Sequence, residues 1–503
     1  MNAELSALTQ RTLALFKDAT TAGIAQNTGL VYYDLESQAK RLYPVLTPLR
    51  NQTARVNKPS GYGTAAHWKA ITGINTGSPA TYVGVQEGKR GMVMSLTEKD
   101  YTATYKGIGI ENQVTFEGQY AGEGFDDMRA LAQITTLEAL MLGEEQMLLS
   151  GNSGTALAQV TFLGTPGVAA GSDGSFGAVP VYCFCVALTP LGVALCGGAN
   201  GFTTAAIAAG NSPNPSFSQT SAGPYSNSQT VNGGVGQISA QATVTPGATQ
   251  HITWSVNPVQ GAAGYAWYIG TTTGAANCSL VGITDIPIIV TPSLGTAGNQ
   301  KANATGLSAD HSTNATSFDG FTTQLINGGG YYQSLAGAKF TTDTHGGIIE
   351  IDAMFKSFWD NYRLWVDELW VGSKLANEIT QIVLSGTSNP VYNIIMPNNN
   401  DGQGTVTAGA LVTSYLNKFS MEGAKQTPIR LHPNMPSGWL FANLKHVPYP
   451  NANIPGVARV VTRQEYYSKE WPVIQRTYEY GVYADEVLQL YVPFGLGLIQ
   501  DVA

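Results

Sequence analysis

Between Glu145 and Lys301 the chain carries only two charged side chains, Asp173 and Asp285, in 155 residues. The remaining 348 residues of the 503 hold the other 58 charges. A folded surface is usually a quarter or more charged, so the neutral stretch must make its surface from Ser, Thr, Asn, Gln and backbone. It is long enough to build its own core. A chain of 503 residues with such a boundary predicts two or three cores rather than one. The 43% apolar content indicates a globular protein. A net charge of −8 argues against coating nucleic acid, which needs a basic stripe. The first residues, MNAELSALTQRTLALFKD, show no signal-peptide pattern.

Inside the neutral stretch, ITWSVNPVQGAAGYAWYIGTT (252–272) alternates apolar and polar residues on both sides of a Gly-bearing turn. That is the pattern of a hairpin with one face in a core. AVPVYCFCVALTPLGVALC (178–196) is uncharged and imitates a membrane span, but Pro180, Pro190 and Gly192 break it into two strand-length pieces. LVGITDIPIIVTP (280–292) supplies more strand, and the Ser-, Asn- and Gly-rich stretch 211–235 reads as loop. Cys183, Cys185, Cys196 and Cys278 lack zinc spacing and read as small buried hydrophobes. These strands resemble those of fibronectin- and immunoglobulin-like domains. The resemblance implies an inserted all-β sandwich over 165–300, with Tyr182, Phe184, Trp254, Tyr265 and Trp267 in its core.

The flanks mix helices and strands without a regular repeat, which makes the class α+β. The spacing predicts a long helix over 125–149, with an apolar stripe of Met128, Leu131, Ile134, Leu137, Met141 and Leu148. Asp126 and Asp127 would sit in its first turn, and Ser150-Gly151-Asn152 would stop it. Residues 88–118 read as extended, 348–362 as helix, 364–372 as strand, 373–386 as helix and 486–502 as strand-like.

This order resembles the major capsid proteins of tailed bacteriophages, the Hong Kong 97 type of shell subunit. GLVYYDLESQAKRLYPVLTPLRNQTARV (29–56) is similar to the family's N-terminal arm running into its extended loop. Residues 105–152 resemble the approach strand and spine helix, ending in Leu-Leu-x-Gly. SFDGFTTQLI (317–326) resembles the segment after the spine, and DELWVGSKLANEI (367–379) the axial strand and helix. The resemblance implies an arm (1–54), an extended loop (55–97) and a peripheral domain with its spine helix (98–164). The inserted sandwich (165–300), a return to the peripheral domain (301–345), an axial domain (346–480) and a C-terminal strand (481–503) would follow. It further implies self-assembly into hexamers and pentamers of an icosahedral head enclosing DNA held without sequence specificity. Separate scaffolding, portal and decoration proteins would be partners, with no membrane.

There is no phosphate loop, no Gly-x-Ser-x-Gly elbow and no His-Glu-x-x-His, and the six histidines show no metal-ligand spacing. No enzyme activity, metal or cofactor is therefore expected. The candidate residues are contacts between subunits. Lys58, Trp68, Lys69, Lys89 and Arg90 lie in or beside the extended loop. Its lysines read as steering subunit contacts; an isopeptide bond, found in some relatives, is the alternative. Glu144 and Glu145 near the end of the long helix read either as a solvated face or as partners for a neighbour's Lys or Arg. Asn399 and Asp401, in NNNDGQG, read as a turn or as a loop crowding the capsomer centre. Two other readings stand beside the capsid: an adhesin binding through the sandwich, and an encapsulin-like compartment shell.

Overall fold

The computed structural model describes residues 42–58, 63–74, 83–91, 93–123, 126–169, 174–196, 212–221, 228–294, 306–385, 412–421 and 423–503. Most of the expected arm, together with Asn399 and Asp401, lies outside the described residues.

The long helix runs over Met128–Ser150, 23 residues and about 34 Å at 1.5 Å per residue. Asp127 is its N-cap rather than part of its first turn, accepting hydrogen bonds from the Arg129 and Ala130 amides at 3.0 and 3.2 Å. The buried face is Thr136, Leu140, Glu144, Glu145, Leu148 and Leu149. This corrects the predicted stripe. Ile134 is exposed, and of the six expected residues only Leu148 is buried outright. Gly151 closes the helix for lack of room, since a Cβ there would lie 2.3 Å from the Phe318 carbonyl oxygen.

The helix lies on an antiparallel sheet of Ala458–Glu470, Thr477–Leu490 and Lys106–Thr115, with Ala54–Asn57 added in parallel at one edge. Ile108, Leu140, Val482 and Ala484 form the apolar contact between them, and the Asn112 amide donates to the Thr136 hydroxyl at 3.0 Å.

A second, six-stranded sheet has the order Tyr331–Ser334, Gly497–Gln500, Leu440–Asn443, Glu368–Val371, Lys425–Leu431 and Ser414–Asn417. Three of its strands are buried at every residue, as expected of a sheet covered on both faces. Helix Ile349–Tyr362 buries Ile351, Met354, Phe355 and Phe358, and helix Ser373–Ser385 buries Leu375 and Ile379.

Two expected boundaries move. The hairpin 458–490 belongs to the first sheet, so the division at 480/481 cuts through a strand. Residues 331–334, expected to return to the first unit, form an edge of the second sheet. The periodicity of a strand shows which face it buries, whereas its partner is set by tertiary packing.

The neutral segment is a two-layer sandwich. One layer has the order Ile288–Thr291, His251–Ser255, Gly167–Ala169; the other is Ser279–Thr284, Gly264–Gly270, Val181–Leu188, Ala242–Val244. Ile252 and Trp254 of the first layer meet Val181, Cys183, Cys185, Tyr265, Trp267 and Ile269 of the second. The two indoles donate to Thr291 and Thr284 hydroxyls at 3.1 and 2.8 Å, which satisfies them inside a dry core. Tyr182 and Phe184 belong elsewhere: they face the opposite side, toward the large core shared with the rest of the chain. In the immunoglobulin order the first two strands share a sheet; here Gly167–Ala169 and Val181–Leu188 lie in different layers.

Three further differences concern this segment. Leu157 and Val160 already line its core, so it starts before 165. Pro190–Leu195 is a short helix, not a second strand. The expected loop 211–235 contains a hairpin, Ser216–Thr220 with Ser228–Asn232. The four thiols are free and buried, and burial pushes the Cys196 thiol up to about 12.

The sandwich is fastened to the body. Gln500 accepts from the Gly261 amide at 3.0 Å and donates to the Val259 carbonyl at 2.9 Å. The Trp439 indole donates to the Ala262 carbonyl at 3.3 Å. Asp285 pairs with Lys374 at 2.8 Å and accepts from Ser437 at 2.7 Å. Among the described residues no helix is long and apolar enough to cross a membrane.

Candidate assembly surface and the polar junction behind it

Among the described residues, strands Ala65–Ile74 and Leu96–Thr104 pair only with each other, as an antiparallel hairpin rooted on the body. At the root Ala66 is buried, and Trp68 stacks on Tyr101 and meets Tyr491 edge-on, with ring centroids 5.6 and 6.2 Å away. Beyond the root the apolar side chains have no cover: Ile71 is 62% exposed, Ile74 64%, Val83 87% and Val93 94%. Ten residues of strand reach about 33 Å. A lone two-stranded hairpin is marginal in water.

Just before the hairpin in the chain, residues 48–57 form a strap. Its short helix Pro48–Gln52 lies against the end of the long helix, and Ala54–Asn57 joins the first sheet. Glu145 takes the Leu49 and Arg50 amides at 2.8 and 2.7 Å, supplying a carboxylate to the positive end of that short helix. The same carboxylate accepts from His432 Nε2 at 2.7 Å. The Asn434 amide donates to His432 Nδ1 at 3.1 Å, which fixes the tautomer with its proton on Nε2.

Glu144 accepts from Arg50 at 2.8 Å and also from Arg55 and the Tyr466 hydroxyl. The other end of the Arg55 guanidinium binds Glu486 at 2.6 Å. Burial opposes the Arg55 charge, but Glu486 and Glu144 outweigh it and hold its pKa above the ordinary value. Burial, then the Glu144 charge, push the Glu486 carboxyl up to about 7 against the pull of Arg55. On the strap's far side Gln52 donates to Glu368 at 2.7 Å, and Glu368 also binds Arg430 and Lys445. One short segment thus joins the long helix, the first sheet and the second sheet.

The expected contact residues divide accordingly. Lys89 and Arg90 are exposed between the hairpin strands. Lys69 is exposed, 3.7 Å from Asp100 and 4.0 Å from Glu98 across the hairpin; such pairs are worth little. Lys58 is half-buried, its amide bound to the Thr462 carbonyl at 2.8 Å. Trp68 packs within its own subunit. Glu144 and Glu145 form neither a solvated face nor a contact with a neighbour: both are buried and consumed inside the chain. Sequence reasoning missed Arg50, Arg55, His432, Tyr466 and Glu486. The available signal was a Glu pair within the last two turns of the helix, flanked by Met141, Leu142, Met147, Leu148 and Leu149. Among the described residues no group of three or more His, Cys, Asp or Glu is placed to hold a metal ion.

No family model matches the chain, and no curated protein does. Among solved structures, the capsid of Myoviridae phage XM1 aligns over 96% of this chain and all of its own, at 8% identity and TM-score 0.40. The capsid of a native GTA particle aligns over the same shares, at 8% identity and TM-score 0.39. The SrpI encapsulin complex of Synechococcus elongatus aligns over 96% of both chains, at 6% identity and TM-score 0.39. Likenesses at this level carry no argument, and the functional reading rests on the geometry above.

Proposed function

We propose that this protein is a shell-forming subunit of the tailed-phage capsid kind, building rings and closed shells from copies of itself. The observation that carries the reading is the hairpin: it is anchored at Trp68, projects from the body and leaves its apolar residues uncovered. A second copy is the natural cover, because every subunit in a shell both offers a hairpin and receives one. The strap ties the long helix to both sheets immediately before the hairpin in the chain. Hexamers and pentamers, scaffolding, portal and decoration proteins, DNA enclosed without specific contacts, and a place in the virion belong to this proposal. An adhesin would present its sandwich free; here Gln500, Trp439 and Lys374 fasten it to the body.

Electron microscopy of the purified protein tests the proposal. Rings or shells are expected, and Val93→Asp with Ile74→Asp should leave only monomers. A wild-type protein that stays monomeric at every concentration and salt tried would overturn it.

A further inference from the structure

We propose that the strap of residues 48–57 is a proton-operated latch, whose grip on the long helix and first sheet is tighter in acid than in mildly alkaline solution. This goes beyond the shell reading, because it concerns one subunit and holds whatever that subunit assembles into.

The geometry supplies the reason. Three buried carboxylates, Glu144, Glu145 and Glu486, meet two guanidinium groups, Arg50 and Arg55. Glu145 is satisfied by two strap amides and His432. Glu144 is satisfied by both arginines and Tyr466. Glu486 is left with one nitrogen of Arg55, whose charge Glu144 already shares, and its Oε1 is buried without a partner. An ionised carboxylate in that position lacks a donor for one oxygen and gives the cluster an excess negative charge. A protonated one balances two arginines against two glutamates.

Besides Arg55, Arg50 acts on Glu486 by charge alone, without a hydrogen bond to it. Across the sheet Glu486 pairs in register with Lys106 and Thr462. The Lys106 ammonium is turned to the Ala315 carbonyl at 2.5 Å. Its chain neighbour Asp485 pairs with Arg463. Undocking the strap would remove Arg50 and Arg55 and open Glu486 to water, returning it toward the ordinary carboxylate value.

The docked carboxyl titrates at about 7 against an ordinary 4.5, raised first by burial and then by Glu144. Docking therefore takes up a proton between those two values. The latch holds best below the lower one, weakens by up to tenfold per pH unit between them, and is level above the upper.

Hydrogen exchange of the full chain, read by mass spectrometry over residues 48–57 and corrected for intrinsic rates, tests this. Protection of the strap should be on the order of a hundredfold lower at pH 8 than at pH 5, while Leu140–Leu149 stays equally protected at both. In Glu486→Gln the strap should be protected alike at both pH values. Strap protection in the wild type that does not change with pH would overturn the proposal, even if the variant fails to fold. So would a pH dependence that survives in a folded Glu486→Gln protein.

Discussion

The sandwich and the hairpin treat apolar side chains in opposite ways. The sandwich has almost no charge, yet Trp254, Tyr265 and Trp267 are fully buried and both indoles have partners. The hairpin carries Lys69, Glu98, Lys99 and Asp100, yet Ile71, Ile74 and Val93 stand in water. Charge is thus a poor guide to self-sufficiency. A neutral surface of Ser, Thr and Gln suffices when two layers close on each other, whereas charged residues cannot complete a pair of strands that has no second layer. The first region spends its apolar residues on its own core, and the second leaves them exposed.

The contrast breaks most visibly if the sandwich core is opened. Trp267→Ala removes a fully buried indole that touches the opposite layer and ends its hydrogen bond to the Thr284 hydroxyl, which keeps its own bond to the Ile286 carbonyl. A loss of about 3–5 kcal/mol is expected, read as a lower midpoint in urea unfolding of the whole chain. Because the sandwich is fastened to the body, one transition should shift. A separate early transition, with the rest of the chain unmoved, would show that the insert is an independent unit.

That fastening was the least legible part of the sequence. The strand periods around Trp254 and Trp267 exposed the two-layer core. Nothing local marked Gln500 as the residue that would hold the turn at 259–261. The long helix was legible as an unbroken run of helix-forming residues, but its apolar residues are spread around it and its buried face was misread. The expected stripe rests on apolar spacing, which passes over Thr136 and Leu140, and the reading of Glu144 and Glu145 as a solvated face or a neighbour's partners is a separate one. The hairpin of Ser216–Thr220 with Ser228–Asn232 was hidden because only Phe217 and Val231 break the polar residues of its two strands. The strap went unseen because its helix has five residues, too few to show a period.

The seam between sandwich and body can be probed by pH. Asp501 is buried and sits at φ +58°, with Oδ2 accepting from Ser334 at 2.6 Å and Gln500 at 2.9 Å. Burial pushes its carboxyl up to about 6 from 3.8, against the pull of those two donors. For an acid whose folded value is raised, the folded state binds the extra proton between the two values. Stability from this group is therefore full below the lower value and is lost as pH rises to the upper, by up to about 3 kcal/mol. Asn tolerates the left-handed backbone, so Asp501→Asn should remove that slope between pH 4 and 6 without breaking the turn. Denaturant midpoints against pH would check it, and a slope unchanged in the variant would assign the titration to another group.

The smallest effect is expected where the most apolar surface is exposed. Ile74→Ser and Val93→Ser change side chains that are 64% and 94% in water and have no core to lose. Surface substitutions of this kind fall within about 0.5 kcal/mol, so the monomer's urea midpoint should stay where it is. The same pair should nonetheless reduce assembly, because burial at roughly 25 cal/mol per Å² is lost at every hairpin contact in a particle. Light scattering and the urea midpoint, measured on one preparation, separate the two quantities. A midpoint that falls by 2 kcal/mol or more would place these side chains in the subunit's own core, and the hairpin would then differ from the sandwich only in degree. An unmoved midpoint with lost assembly would establish that the chain keeps one apolar region for folding and another for its neighbours.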